Sequence, residues 1–233
     1  MKLKEFYGSK IGKNILNQEC FPEEVSDYLK KEKLFLDNLV DKFDSIIEIG
    51  CGNGTHLQWA IENGKKYIGI DINEGRITKA RLTANLNGFD SNQFKFACEK
   101  AENFPRVLDN LNIEQSNSIP FVYFPFNVFG NIESVEEIIL SLKKTNIDFG
   151  ICAFKTSNLA NKIREKYYEN CGCQNILRIN DNKGVRFKSK EGLNTIAYFS
   201  DWMQRKFSSI KIKLKTYEIS EIGIAYVSDK SIK

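Results

Sequence analysis

Histidine occurs once in the 233 residues, at position 56, and that scarcity excludes whole classes of chemistry. A zinc site would have to take its other ligands from cysteines. Of the six, only Cys171 and Cys173 stand close together, and no second pair lies at zinc-finger spacing. No metal is expected. A catalytic triad would have to recruit His56, and no GxSxG turn is present to expose a nucleophile. The cysteines are scattered, most of them in or beside apolar runs, which suits small buried hydrophobes in a reducing compartment rather than disulfides. Long apolar runs are missing too: none approaches the roughly 20 residues that span a bilayer, and the opening MKLKEFYGSK lacks the apolar stretch of a signal peptide. A cytoplasmic protein with no membrane partner is the expectation. Excess charge is also small, since 34 basic and 30 acidic residues leave +4, and no nucleic-acid partner is implied by bulk electrostatics.

What is present is an ordinary globular composition, 42% hydrophobic and 27% charged with four prolines. The length suggests one large domain with an appendage, able to bury a core without staples. Short β-branched and aromatic runs alternate with helical spacing in the middle of the chain, which signals a parallel sheet with crossover helices. Ile46 to Ile49, Tyr67 to Ile70, Phe94 to Ala97, Pro120 to Phe124 and Asp148 to Cys152 read as five successive strands. Thr55 to Asn63 and Asn73 to Asn87 read as helices, Ser134-Val135-Glu136-Glu137 as a capping box opening another, and Ser157 as the start of the next. Pro22 to Phe43 carries apolar residues at helical intervals, interrupted by the Lys30 to Lys33 charge run.

Beyond residue 170 the pattern becomes antiparallel, with strands expected at Gln174 to Ile179, Gly184 to Lys188 and Asn194 to Phe199, then a helix from Ser200 to Phe207. Alternation at Ile210, Ile212 and Leu214 and again at Ile222 to Val227 closes the chain with a hairpin, its three intervening lysines reading as the solvated face of an edge. The expected fold is α/β: a Rossmann-like, doubly wound, seven-stranded, mostly parallel sheet with an antiparallel last strand and a small antiparallel β cover. One domain, 1–233, is expected to comprise a helical cap (1–43), a cofactor-binding core (44–155), a substrate cover (156–205) and the closing hairpin (206–233).

The first strand runs into Glu48-Ile49-Gly50-Cys51-Gly52-Asn53-Gly54-Thr55, a glycine-rich turn feeding a helix, and Asp71 ends the second strand. Glycines let the chain bend sharply and a ligand approach the backbone, and an acid after the second strand accepts hydrogen bonds from ribose hydroxyls. Glu48 argues against a pyrophosphate at that turn, because a carboxylate there repels it. S-adenosylmethionine, with a cationic sulfonium and a zwitterionic end, is compatible with Glu48.

EIGCGNGT with GIDIN after the second strand resembles the class I S-adenosylmethionine-dependent methyltransferases over roughly residues 44–155. The resemblance implies S-adenosylmethionine as cofactor, with Glu48, Gly50, Cys51, Gly52 and Gly54 at its methionine end, Asp71 on the ribose and Ile72 against adenine. The segment Glu99, Lys100, Ala101 is expected near adenine, with Phe124 at the end of the fourth strand. Lys100 occupies a position where many relatives carry an acid, so Glu99, Glu102 or a backbone carbonyl is left to read the adenine amino group. Pro125 to Asn131 resembles the pFNxxGh segment of small-molecule methyltransferases. Asn127 is accordingly a candidate for binding substrate or orienting the cofactor, with capping of its own turn the alternative.

Methyl transfer mainly requires alignment and exclusion of water, which fits a chain poor in bases. His56 is either a local packing residue or the base. Substrate contacts are expected from Tyr7, Phe126, Asn127, Phe129, Arg186, Tyr198 and Trp202, the last three on the cover, although such aromatics equally build a satellite core. A small-molecule nitrogen or oxygen is the expected acceptor. Methylation of RNA or protein would need a basic cleft, and a silent partner subunit would have no reason to keep the glycines and Asp71. A dehydrogenase would need GxGxxG and YxxxK, whose only match is Tyr226 to Lys230.

Overall fold

The protein is seen in a computed structural model that describes residues 3–111 and 118–229; Lys230 and the end of the expected closing segment lie outside them. Helices α1 (Leu3–Gly8), α2 (Lys10–Asn14) and α3 (Glu23–Asp37) precede five parallel strands, β1 (Ser45–Ile49), β2 (Lys66–Asp71), β3 (Phe94–Cys98), β4 (Pro120–Phe124) and β5 (Asp148–Phe154). Between them run α4 (Leu57–Glu62), α5 (Glu74–Leu86), α6 (Phe104–Asn110) and α7 (Val135–Thr145). After α8 (Asn158–Asn170), β6 (Leu177–Asn180), β7 (Gly184–Lys188) and β8 (Asn194–Tyr198) form a separate antiparallel sheet. Helix α9 (Ser200–Ser208) leads to β9 (Leu214–Glu218) and β10 (Gly223–Ser228), which complete a seven-stranded sheet in the order β3-β2-β1-β4-β5-β10-β9. Strand β10 is antiparallel to both its neighbours. The order reverses between β1 and β4, the switch point outside which open α/β sheets bind ligands.

Both faces of the central strands are buried, as their near-continuous apolar runs require. Ile47, Ile49, Val122, Phe124 and Ile151 pack against α6, α7 and α9, while Ile46, Tyr67, Phe121, Tyr123 and Cys152 pack against α3, α4 and α5. A third cluster joins Phe6, Tyr28, Phe154 and Tyr167 to Val185, Phe187 and Leu193 of the small sheet and its turn. Each large apolar side chain buried in this way contributes about 1.5–3 kcal/mol. Among the described residues no helix is long and apolar enough to cross a membrane.

Local details depart from the sequence reading. Helix α3 runs unbroken through the lysines, because Val25, Tyr28, Glu32 and Leu36 form one buried stripe while Lys30, Lys31 and Lys33 point to solvent. Ser134 does begin α7, but its side chain makes no capping bond. Its backbone N–H donates instead to Glu102 Oε1 at 3.2 Å, so tertiary contact replaces the expected box. Strand β6 starts later than expected, at Leu177, and β9 only at Leu214, because Lys211 has a left-handed backbone (φ 65°) that breaks the alternation.

The small sheet is fixed to the large one through the turn after β4. Asn127 adopts the left-handed conformation (φ 59°), and its Nδ2 donates to Thr195 Oγ1 and to the Ile196 carbonyl, both at 3.1 Å. Its Oδ1 accepts from Phe154 N at 3.3 Å. Gly130 leaves no room at this crossing, since a Cβ there would lie 1.9 Å from the Ile196 carbonyl oxygen. Gly130→Ala should therefore destabilise the protein by about 3 kcal/mol, as overpacking against backbone does. A urea-unfolding midpoint unchanged from wild type would disprove this junction.

Candidate functional site

A cavity of about 610 Å³ opens at the carboxyl ends of β1, β2 and β4. Its floor is Ile49 and Gly50, Ile70 to Ile72, and Pro125 and Phe126; one end is formed by Glu99 to Glu102, and Tyr7, Phe21, Leu29 and Glu32 cover it from the leading segment. The glycine turn owes its shape to backbone that only glycine adopts without strain. Gly50 and Gly52 have φ of 71° and 57°. A Cβ on Gly50 would lie 2.6 Å from Val128 Cγ1, so the close approach of the turn to the β4 loop also demands glycine. Asp71 fastens this turn from below: its Oδ2 accepts from Gly52 N at 2.9 Å, and Oδ1 accepts from Asn73 N, at the start of α5, at 2.8 Å.

Glu48 is wholly buried beneath the turn. Its Oε2 accepts from Tyr67 Oη at 2.5 Å and from the His56 backbone N–H at 3.2 Å, and its Oε1 lies 2.8 Å from His56 Nδ1. The start of α4 is thus already neutralised by a protein carboxylate, which suits a ligand without phosphate at this position. Burial by itself would lower the His56 pKa, but the charge and hydrogen bond of Glu48, joined by Glu32, hold it above the ordinary value. The imidazole meets the Tyr123 ring edge-on at 5.4 Å and borders the cavity.

Glu32 stands across from it. Its Oε1 accepts from Tyr123 Oη at 2.9 Å and from Phe126 N at 3.0 Å, while Oε2 has no partner among the described residues. Burial pushes its carboxyl pKa up, and His56, Phe126 N–H and Tyr123 oppose the rise. Phe126, whose φ is 38°, packs between Phe21, Tyr28 and Phe154 with ring centroids 5.5–6.0 Å apart.

Of the residues expected at the site, Gly50, Asp71, Ile72, Glu99, Lys100, Ala101, His56, Tyr7 and Phe126 border the cavity. Others are placed elsewhere. Glu48, Cys51 and Phe124 are buried under it, and Gly52 and Gly54 shape the turn without lining the space. Asn127 spends its amide on Thr195 and Ile196 of the small sheet and on Phe154 of β5, and is not among the residues bordering the cavity. Phe129 meets Tyr198 edge-on at 5.8 Å, and Tyr198 stacks on Trp202 at 4.4 Å. Arg186 bonds Asn194 Oδ1 at 3.1 Å. None of these four side chains borders the cavity: Phe129 and Tyr198 are buried, and Arg186 and Trp202 are half-buried. At the far end, Glu99 is engaged by Asn103, the Lys100 N–H and Arg106, which hold its carboxyl below the usual range, and Glu102 by Ser134 N.

Sequence reading missed Glu32, Phe21, Leu29 and Asn131. Glu32 carried a usable signal, a carboxylate on the apolar stripe of an amphipathic helix, which the neighbouring lysines disguised as part of a solvated run.

The sequence profile of a family described as a methyltransferase domain matches residues 40–209. No curated protein sequence matches the chain. Among solved structures, the fold resembles a protein of Pyrococcus horikoshii at 14% identity, with 91% of this chain and 93% of that one covered and a TM-score of 0.63. It also resembles 1,6-didemethyltoxoflavin-N1-methyltransferase of Burkholderia thailandensis, solved with 1,6-didemethyltoxoflavin and S-adenosylhomocysteine, at 9% identity, 97% and 85% coverage and a TM-score of 0.61. Magnesium protoporphyrin IX methyltransferase of Synechocystis, solved with S-adenosylhomocysteine, is similar at 12% identity, 97% and 96% coverage and a TM-score of 0.59.

The lone imidazole makes the Glu48 pair directly measurable. An NMR titration of His56 should give a midpoint above the unperturbed value of about 6.5. In Glu48→Gln the midpoint should fall below it, because burial then dominates. Since the folded midpoint exceeds the unfolded one, the stabilisation from this pair is complete below about pH 6.5 and is lost as pH rises through the folded midpoint. A wild-type midpoint at or below 6.5 would contradict the assignment.

Proposed function

The chain belongs to the class I S-adenosylmethionine-dependent methyltransferases, and on that premise we propose that this enzyme methylates a nitrogen or oxygen of a small-molecule metabolite. One observation carries the choice of substrate class: the cavity outside the β1/β4 switch point is covered by Tyr7, Phe21, Leu29 and Glu32 instead of opening as a basic cleft. Carboxylates on its wall, among them Glu32, Glu62 and Glu133, do not favour a polyanion such as RNA. Two proteins of similar fold are named for methylation of small ring compounds.

The residues present fit the cofactor. Gly50 and its turn approach closely without side chains, Asp71 has acceptor capacity for ribose hydroxyls, and Ile72 and Ala101 offer apolar contact for adenine at the end bounded by Lys100. When bound, the cofactor supplies an electrophilic methyl group on a sulfonium. The chain's part is alignment and desolvation. Phe126, Phe21 and Tyr7 exclude water, the turn after β4 fixes the acceptor, and His56, oriented by Glu48 through Nδ1, stands beside Glu32 with its proton affinity raised by the two carboxylates.

Isothermal titration of the full chain with S-adenosylhomocysteine should give saturable binding that weakens about tenfold or more in Asp71→Ala, a loss of about 1.4 kcal/mol. Absence of binding at millimolar ligand would refute the proposal.

A further inference from the structure

The cavity wall holds two buried oxygen atoms without hydrogen-bond partners among the described residues, Glu32 Oε2 and Asn131 Oδ1. Leaving a buried polar group unmatched is costly, more so for a charged one, and the remainder of Glu32 is well satisfied. Its Oε1 is clamped between Tyr123 Oη and the Phe126 N–H, which turns the carboxylate into a fixed fork with one prong on the sheet and the other unspent. Glu32 is 1% exposed, so bulk water does not serve that oxygen freely.

Both unmatched atoms are acceptors, and this decides the chemistry of the occupant. A carboxylate or phosphate offers nothing to them and meets repulsion from Glu32. A hydroxyl brings one donor. A primary amine, or an amino group on a ring, brings two or more, and its apolar body matches the adjoining Phe21, Phe126, Ile15 and Leu29.

We propose that Glu32 and Asn131 form the acceptor subsite and that the substrate is an amine on an apolar or aromatic body, its N–H groups donating to Glu32 Oε2 and Asn131 Oδ1. This rests on the methyl-transfer reading above and narrows it to nitrogen. In the step, the neutral amine's lone pair forms the N–C bond while the methyl–sulfur bond breaks with its electron pair remaining on sulfur. The proton that the new ammonium must shed passes to Glu32 Oε2, already aligned with the N–H. Burial raises the proton affinity of this carboxyl, which suits it to the task, and neighbouring His56 opposes part of that rise.

The test uses the full chain saturated with S-adenosylhomocysteine and three probes of like shape: benzylamine, benzyl alcohol and benzoate. Calorimetry should show benzylamine binding at least tenfold more tightly than the alcohol, with benzoate weakest. In Glu32→Gln, which retains an acceptor for Tyr123 and Phe126, the amine preference should shrink to threefold or less while S-adenosylhomocysteine affinity stays within twofold. Equal binding of amine and alcohol by the wild type, binding of none of the probes, or a preference that survives in Glu32→Gln would overturn the proposal. The wild-type comparison stands even if the variant folds poorly. Failure of S-adenosylhomocysteine itself to bind would strike the methyltransferase reading instead.

Discussion

A carboxylate sealed under the sheet's switch point governs the geometry of everything above it. Glu48 lies opposite Gly69 on one neighbouring strand and Tyr123 on the other. A charge in that position is tolerable only if its lone pairs are matched, and Tyr67 and both the backbone and the ring of His56 match them. The demand fixes where His56 must sit, hence where α4 begins, hence the span of chain left for the glycine turn. The turn's close approach to Val128 and its fastening to Asp71 then follow from a length already set. The same imidazole stands between two carboxylates, Glu48 and Glu32, each bonded to a tyrosine of the sheet, so the two carboxylates are electrostatically coupled through it.

Much of this was legible in the sequence, for identifiable reasons. Strands buried on both faces must be apolar throughout, so Ile46 to Ile49 and Pro120 to Phe124 could not hide. Gly50, Gly52 and Gly54, followed by Asp71, announce a backbone that something approaches. What could not be read depends on long-range company. Asn127 carries the same side chain whether it meets a ligand or the carbonyl of Ile196, and only the folded path of β8 decides. Tyr198 and Trp202 are equally fit to line a pocket or stack on one another. Ser134 loses its capping role to Glu102, a residue from a different loop. Glu32 was misjudged because charge density along the chain says little about which side of a helix each charge occupies.

The covering residues Tyr7, Phe21, Leu29 and Glu32 all precede residue 40, where the match to the methyltransferase-domain family begins, whereas Gly50, Asp71 and Ala101 fall within it. The two parts are joined at several places, among them the bonds from Phe126 N and Tyr123 Oη to Glu32 Oε1 and from Arg76 Nη2 to the Gly12 carbonyl. The leading segment is therefore no detachable cover: a change at Glu32 or Phe21 must be answered at Tyr123 or Phe126, and one at Tyr7 or Gly12 at Arg76.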